Sequence, residues 1–335
     1  MPYRVYVSVA DEDKISIWSM DPNTGVLNLQ EDAPLASGPS PLAVSPGQRT
    51  LYVGLRASHQ LATLGIDQKT GSLSPLGAIP LESDPCYLSV DRNGRFLLSA
   101  YYSAGCVAVH SIGEDGVVRA PPVVWQATMP KAHSIRTDRS NRYAYLPHVG
   151  ESNRILQYLL NADTGHLTPN VPPMVVPEAG QGPRHYCYHP TLDTVYFDNE
   201  QGSSVTAYRL DPATGALSPF QTLSTLPEGF SGQNTCAQIH ITPSGRYLYA
   251  ANRGHDSIAC FAVDPVTGRL ASLGQQPSEP IPRTFGIDPQ GRYLYAAGQG
   301  SGRLAAYRIA PDGTLQPLAT YHVGARPMWV MVLEL

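Results

Sequence analysis

With 335 residues, 42% of them hydrophobic and only 15% charged, the chain has the makeup of a folded domain with a large core, which excludes a disordered one. A net charge of −4 speaks against a nucleic-acid partner, and no apolar run approaches the roughly 20 residues a membrane helix needs. Five scattered cysteines (Cys86, Cys106, Cys187, Cys236, Cys260), with no CxxC pair, fit small apolar residues in a reducing cytoplasm and speak against a disulfide framework or a zinc site.

The opening, "MPYRVYVSVADEDK", has no basic segment leading into an apolar one, so no secretory signal is expected. The 31 prolines, 30 glycines and 19 tyrosines favour many short strands joined by turns. "YRVYVSVADEDKISIWSMDPNTGVLNL" reads as three such strands, the last two joined through a DPxTG turn. A phrase then starts that recurs down the chain. It reads "PSPLAVSPGQRTLYVGLR" from residue 39, "PCYLSVDRNGRFLLSAYY" from 85 and "AHSIRTDRSNRYAYLPHV" from 132. Further copies are "PRHYCYHPTLDTVYFDNE" from 183, "CAQIHITPSGRYLYAANR" from 236 and "PRTFGIDPQGRYLYAAGQ" from 282.

Each copy predicts a first strand up to a tight turn and a second strand carrying the "RYLYAA" phrase. A third, alternating strand follows, and a "DPxTGxL" type turn leads to a fourth. Four-stranded units repeated every 40–50 residues or so predict the blades of a β-propeller. The C-terminal "RPMWVMVLEL" supplies a first strand alone. Joined to the three N-terminal strands it completes a seventh blade and leaves no sheet edge exposed at the ring junction. The expected architecture is all-β: one seven-bladed propeller domain of four-stranded antiparallel blades, spanning residues 1–335. Within it Tyr247, Tyr249, Tyr293 and Tyr295 are expected to pack between blades.

Where the copies agree, the residues build blades; where they disagree, they can carry chemistry. The start of strand one and the end of strand two lie on one rim of an antiparallel hairpin. In register with Arg283, the strand-one starts hold Ser40, Cys86, His133, Arg184, Ala237 and Met328. In register with Arg253, the strand-two ends hold Arg56, Tyr102, Val149, Glu200 and Gln299. One face of the ring therefore gathers four arginines, a glutamate and a histidine. Charged residues seldom point into a closed ring unless they are paired or bind something. Arginine forks suit a carboxylate or phosphate, the glutamate suits a general base, and the histidine can carry a proton near neutral pH. A salt-bridge network lining a wet channel is the alternative.

Other motifs are weaker. His185 and His189 in "HYCYH" lie roughly 13 Å apart on a strand, too far to share a metal ion. "GQGSG" at 298–302 resembles part of a dinucleotide loop, but no helix follows it, so a turn is expected. His240, inside strand one of its copy, is expected to be a satisfied core histidine.

Taken together, "GPRHYCYHP", "NEQGSSV", "IHITPSGRYLYAANR", "PRTFGIDPQGRYLYAAGQ" and "PMWVMV" resemble the bacterial propeller-type 6-phosphogluconolactonases and the related fungal 3-carboxymuconate lactonizing enzymes, along essentially the whole chain. The resemblance implies a cytoplasmic lactone hydrolase needing no metal or cofactor, a monomer or weak homodimer, acting on a small anionic sugar lactone. It implies catalytic roles for Glu200 (base towards water), Arg184 or Arg253 (oxyanion) and His133 (proton donor to the ring oxygen). Arg283 and Arg56 would hold the phosphate, with Gln299, Tyr102 and His185 as further substrate contacts. The connection before the copy at 236 departs from the family, since "GFSGQNTCAQIH" carries no aspartate. Two other readings use the same residues: a cycloisomerase or isomerase of a lactone-forming diacid, and a non-catalytic propeller that binds protein partners on one rim.

Overall fold

Each copy of the repeat folds as one four-stranded antiparallel sheet, and seven such sheets close into a ring. The computed structural model describes residues 2–335. Blades 1 to 6 occupy residues 39–80, 87–127, 136–175, 183–224, 235–277 and 282–322, and the seventh joins Pro327–Glu334 to the strands between Tyr3 and Pro34. In that closing blade the C-terminal strand is innermost and pairs with Tyr3–Val9 from Tyr3↔Glu334 to Val9↔Pro327. Among the described residues no helix is long and apolar enough to cross a membrane. The "GQGSG" segment is a turn between Tyr293–Gly298 and Arg303–Ile309, as its sequence context required.

The repeated phrase has a mechanical explanation. In the DPxTG turns the aspartate folds back on its own backbone: Asp21 Oδ1 accepts from the amides of Asn23 (2.8 Å) and Thr24 (3.3 Å), and its carbonyl accepts from Gly25 N (2.8 Å). Gly25 (φ +74°) and Gly215 (φ +72°) sit in the left-handed region, where a side chain is strained. A Cβ on either would also lie 2.4 or 2.2 Å from the ring of Tyr293 or Tyr143 in the adjacent blade. The next tyrosine along that neighbouring strand then reaches the glycine carbonyl: Tyr295 to Gly25 (2.8 Å) and Tyr145 to Gly215 (2.8 Å). Tyr6, Tyr52, Tyr196 and Tyr249 make the equivalent bond. Blade 2 has Leu98 at this position and forgoes it. Six of the seven turns are therefore latched to the preceding blade by a tyrosine hydroxyl, and several also by ring packing.

The innermost strands have a ladder partner on one side only, so their free edges are served by neighbouring blades. Ser8 Oγ donates to Ser40 O (2.8 Å), Ser89 Oγ to Ile135 O (2.6 Å) and Ser134 Oγ to Arg184 O (2.8 Å). Val330 N donates to Thr284 Oγ1 (3.1 Å). Blade 3 is irregular here, with a first strand of only Arg136–Thr137. Pro147, on the strand beside it, accepts from His133 N (3.0 Å) but has no N–H to return, so the ladder breaks and the His133 segment is released from regular pairing.

Candidate active site

Eight of the thirteen rim positions converge on one cavity of about 260 Å³ at one mouth of the central channel: Arg56, Cys86, Tyr102, His133, Arg184, Glu200, Arg253 and Arg283. Ser40, Val149, Ala237, Gln299 and Met328 are not among its lining residues. Blades 1 to 6 each contribute at least one of the eight lining side chains. Arg184 and Arg283 enter from the first strands, and Cys86 and His133 from the residues just before them. Arg56, Tyr102, Glu200 and Arg253 stand at the ends of the second strands, a consequence of hairpin geometry repeated round a ring.

Among the described residues Glu200 is the only carboxylate lining the cavity. One of its oxygens lies 2.8 Å from Arg184 Nε and 3.5 Å from Arg253 Nη2. Arg184 Nε has its charge partner in contact but no aligned hydrogen bond, and Arg184 Nη1 and Arg253 Nε are buried without any hydrogen-bond partner. Arg253 Nη2 donates to Cys236 O (2.7 Å). Arg56 is held by Asp84, through Nε (3.1 Å) and Nη2. Among the described residues Arg283 has no ion-pair partner.

Four guanidinium groups thus face two carboxylates, Glu200 and Asp84. Burial, with Arg184 next in importance, pushes Arg253 down to about 10 and Arg283 to about 9. Both remain cationic at neutral pH, but each is deprived of water without full compensation. That surplus of positive charge suits an anionic ligand.

Burial and the guanidinium groups of Arg184, Arg283 and Arg253 hold His133 well below the ordinary imidazole value. Its ring is therefore neutral at pH 7, and Nδ1 has no partner. A neutral ring can still give up an N–H proton, so the expected role of His133 as donor to the leaving oxygen is a matter for the pH profile. Cys86 also lines the cavity, but burial raises its thiol to about 11, which leaves it a poor nucleophile.

Two candidates stand elsewhere. Gln299 turns away, its Nε2 3.7 Å from Met328 Sδ, and borders a separate cleft between the sixth and closing blades. His185 lies behind the cavity, because successive residues on a strand diverge and Arg184 takes the cavity side. Its ring stands 5.0 Å from His133, 5.1 Å from Tyr87 and 6.1 Å from Trp329, as part of an aromatic plug across the channel. His189 instead contacts Gly245 O (3.2 Å). His240 is not the satisfied core histidine expected from its strand: it is half-buried at the opposite mouth, with one long contact to Gln238 Oε1 (3.4 Å).

Sequence reasoning missed two acids. Asp84, in "SDPC", lies outside the compared register and neutralises Arg56. Asp198, two residues before Glu200, is fully buried, and its Oδ1 accepts His185 N (2.6 Å). Burial raises its carboxyl to about 7. Among the described residues no group of three or more His, Cys, Asp and Glu is placed to hold a metal ion.

The profile of the family described as "Lactonase, 7-bladed beta-propeller" matches residues 4–332. The chain belongs to this lactonase family. A 6-phosphogluconolactonase of Pectobacterium carotovorum is 40% identical over 336 residues, covering all of both chains. One from Sodalis glossinidius is 39% identical over 334 residues, 99% of each. Among solved structures, a periplasmic gluconolactonase of Pseudomonas aeruginosa superposes with a TM-score of 0.93 at 26% identity, covering 100% of this chain and 99% of that one. In this lactonase the loop before blade 5 is tied down without aspartates: Asn234 Nδ2 donates to Ser203 Oγ and Asn252 Oδ1, both at 3.0 Å, and Phe230 packs on His255 at 4.9 Å.

Proposed function

We propose that the chain hydrolyses 6-phospho-D-glucono-1,5-lactone to 6-phospho-D-gluconate in the cytoplasm, working as a monomer or weak homodimer. The observation that carries the reading is a single carboxylate set among a surplus of guanidinium groups in a cavity of about 260 Å³. A phosphorylated lactone supplies the missing negative charge, and full-length relatives near 40% identity carry that name. Glu200 takes a proton from water as the water oxygen bonds to the lactone carbonyl carbon. Arg184 and Arg253 stabilise the oxyanion. As the tetrahedral intermediate collapses and the carbonyl re-forms, the bond to the ring oxygen breaks and Glu200 returns its proton to that oxygen. Neutral His133 serves as a hydrogen-bonding group beside the reacting centre, and Arg283, with Arg56, holds the phosphate.

The test is a panel of phosphorylated, neutral and carboxylate-bearing lactones, followed by base uptake at constant pH and corrected for spontaneous opening. The phosphorylated lactone should have the highest kcat/KM. Arg283→Gln should raise its KM about 10–100-fold, the range for lost hydrogen bonds to a charged group, with kcat little changed and the neutral lactone hardly affected. The same variant should melt at a higher temperature than the parent, because it removes an unpaired buried cation. Equal rates on neutral and phosphorylated lactones would overturn the substrate assignment.

The pH profile tests His133 separately. With its imidazole neutral throughout, His133→Asn should lower kcat/KM without changing the profile's shape. Any limb near pH 7 should vanish instead in Asp198→Asn, because that carboxyl, raised to about 7, adds a negative charge behind Arg184 as pH climbs through its value. A limb lost only in His133→Asn would restore the imidazolium as proton donor.

A further inference from the structure

A second cavity, of about 320 Å³, opens at the opposite mouth of the channel and shares no residue with the first. Between the two runs the ladder of rings already described, from His133 through His185 to Tyr87 and Trp329, the last two 5.5 Å apart. The polar side of this lower cavity is formed by Arg92 and Arg136, with His240 nearby. The opposite wall is apolar and includes Trp329, Ile287 and Val330.

Neither arginine has an ion-pair partner among the described residues. Arg92 donates to the main-chain oxygens of Asp138 (3.1 Å) and Thr137 (3.4 Å), and Arg136 to that of Tyr186 (3.5 Å). The neighbouring carboxylates are engaged in their own turns. Asp91 accepts from the amides of Asn93, Arg95 and Phe96 and from Asn141 Nδ2, while Asp138 accepts from the amides of Ser140, Arg142 and Tyr143. Two guanidinium groups therefore share one half-enclosed mouth with no counter-charge between them. Two guanidinium groups on one cavity suit a carboxylate, which their planar forks can bind in pairs of hydrogen bonds. The apolar wall and the Trp329 ring fit a hydrocarbon or aromatic body, the usual division of labour in small-molecule sites.

We propose that this lower mouth is a second ligand site, binding a small organic carboxylate with an apolar or aromatic body independently of the lactone cavity. Phenylacetate and inorganic phosphate are the probes, titrated calorimetrically into the full chain. Phenylacetate should bind, phosphate should bind more weakly, and Trp329 emission should change on binding. Arg92→Gln, and separately Arg136→Lys, should weaken phenylacetate binding by about tenfold or more, the lower range for a lost charge-assisted pair. Arg283→Gln in the upper cavity should leave it within about twofold. Using Arg92 as well as Arg136 keeps the test decisive should one variant misfold, and Trp329→Phe should abolish the fluorescence change but not the binding. The proposal is overturned by absence of phenylacetate binding at 10 mM or so, by phosphate binding as tightly, or by loss of binding in Arg283→Gln alone.

Discussion

Glu200→Gln should lower kcat by about 10²–10⁴, the usual contribution of general acid–base catalysis, while KM stays level or falls. Glutamine keeps the size and much of the hydrogen bonding but cannot accept a proton from water. No other carboxylate among the described residues lines the cavity. Asp84 is bound to Arg56, and Asp198 is fully buried behind the site, so neither can substitute without rearrangement. The direction in KM follows from the same ion pairs. Removing the charge at Glu200 frees Arg184 and Arg253 from their shared partner, and both then attract an anionic substrate more strongly. The same release should destabilise the empty protein and make added phosphate a stronger stabiliser of the variant than of the parent, which a thermal melt with and without phosphate measures. Single-turnover rates on the phosphorylated lactone, with the variant's fold checked by circular dichroism, decide the catalytic claim. Full turnover would remove Glu200 as the base and leave neutral His133, whose Nδ1 is free, as the group to test next.

The blades were legible because their turns are chemically explicit. A glycine at positive φ set against the neighbouring blade, and an Asp or Asn that folds onto its own amides, recur at nearly the same offset in most copies. The rim was legible for the opposite reason: side chains pointing into a channel have no packing duty in common, so they differ between copies. Comparison in register therefore found eight residues of the cavity, Cys86 and Tyr102 included. It did not find Asp84, which stands outside the compared positions, or Asp198, which looks like any polar residue inside a strand. Nor could it set the state of His133, because the burial and the three arginines that keep that ring neutral come from other blades. Gln299 occupies the right register, yet its side chain turns to Met328 of the closing blade. The lower mouth escaped because the copies were compared at one end of strand one only, whereas Arg92, Arg136 and His240 cluster at the other.

Deleting residues 326–335 should abolish stable folding rather than merely lower the melting point. The segment contains the whole innermost strand of the closing blade, and its register with Tyr3–Val9 is the bond that shuts the ring. Met328, Val330, Val332, Leu333 and Leu335 are all buried, and four of them sit in the two core clusters that flank the closing blade. At about 1.5–3 kcal/mol for each fully buried side chain, their burial contributes about 8–15 kcal/mol. That is comparable with the 5–15 kcal/mol or so of net stability typical of a domain. The truncated chain also exposes an unpaired edge at Tyr3–Val9 and the apolar flanks of two blades, so aggregation should accompany the loss of the cooperative transition. A relocated strand separates pairing from mere chain length. Leu335 N donates to Pro2 O (2.9 Å), so the two ends of the chain already meet. Residues 326–335 can therefore be fused ahead of residue 2 through a short linker, which reverses their place in the chain but keeps their place in the sheet. This permuted chain should regain a cooperative melt and lactonase turnover. A truncated chain that melts at the parent's temperature, or a permuted chain no more stable than the truncated one, would show that ring closure through this strand does not govern the fold.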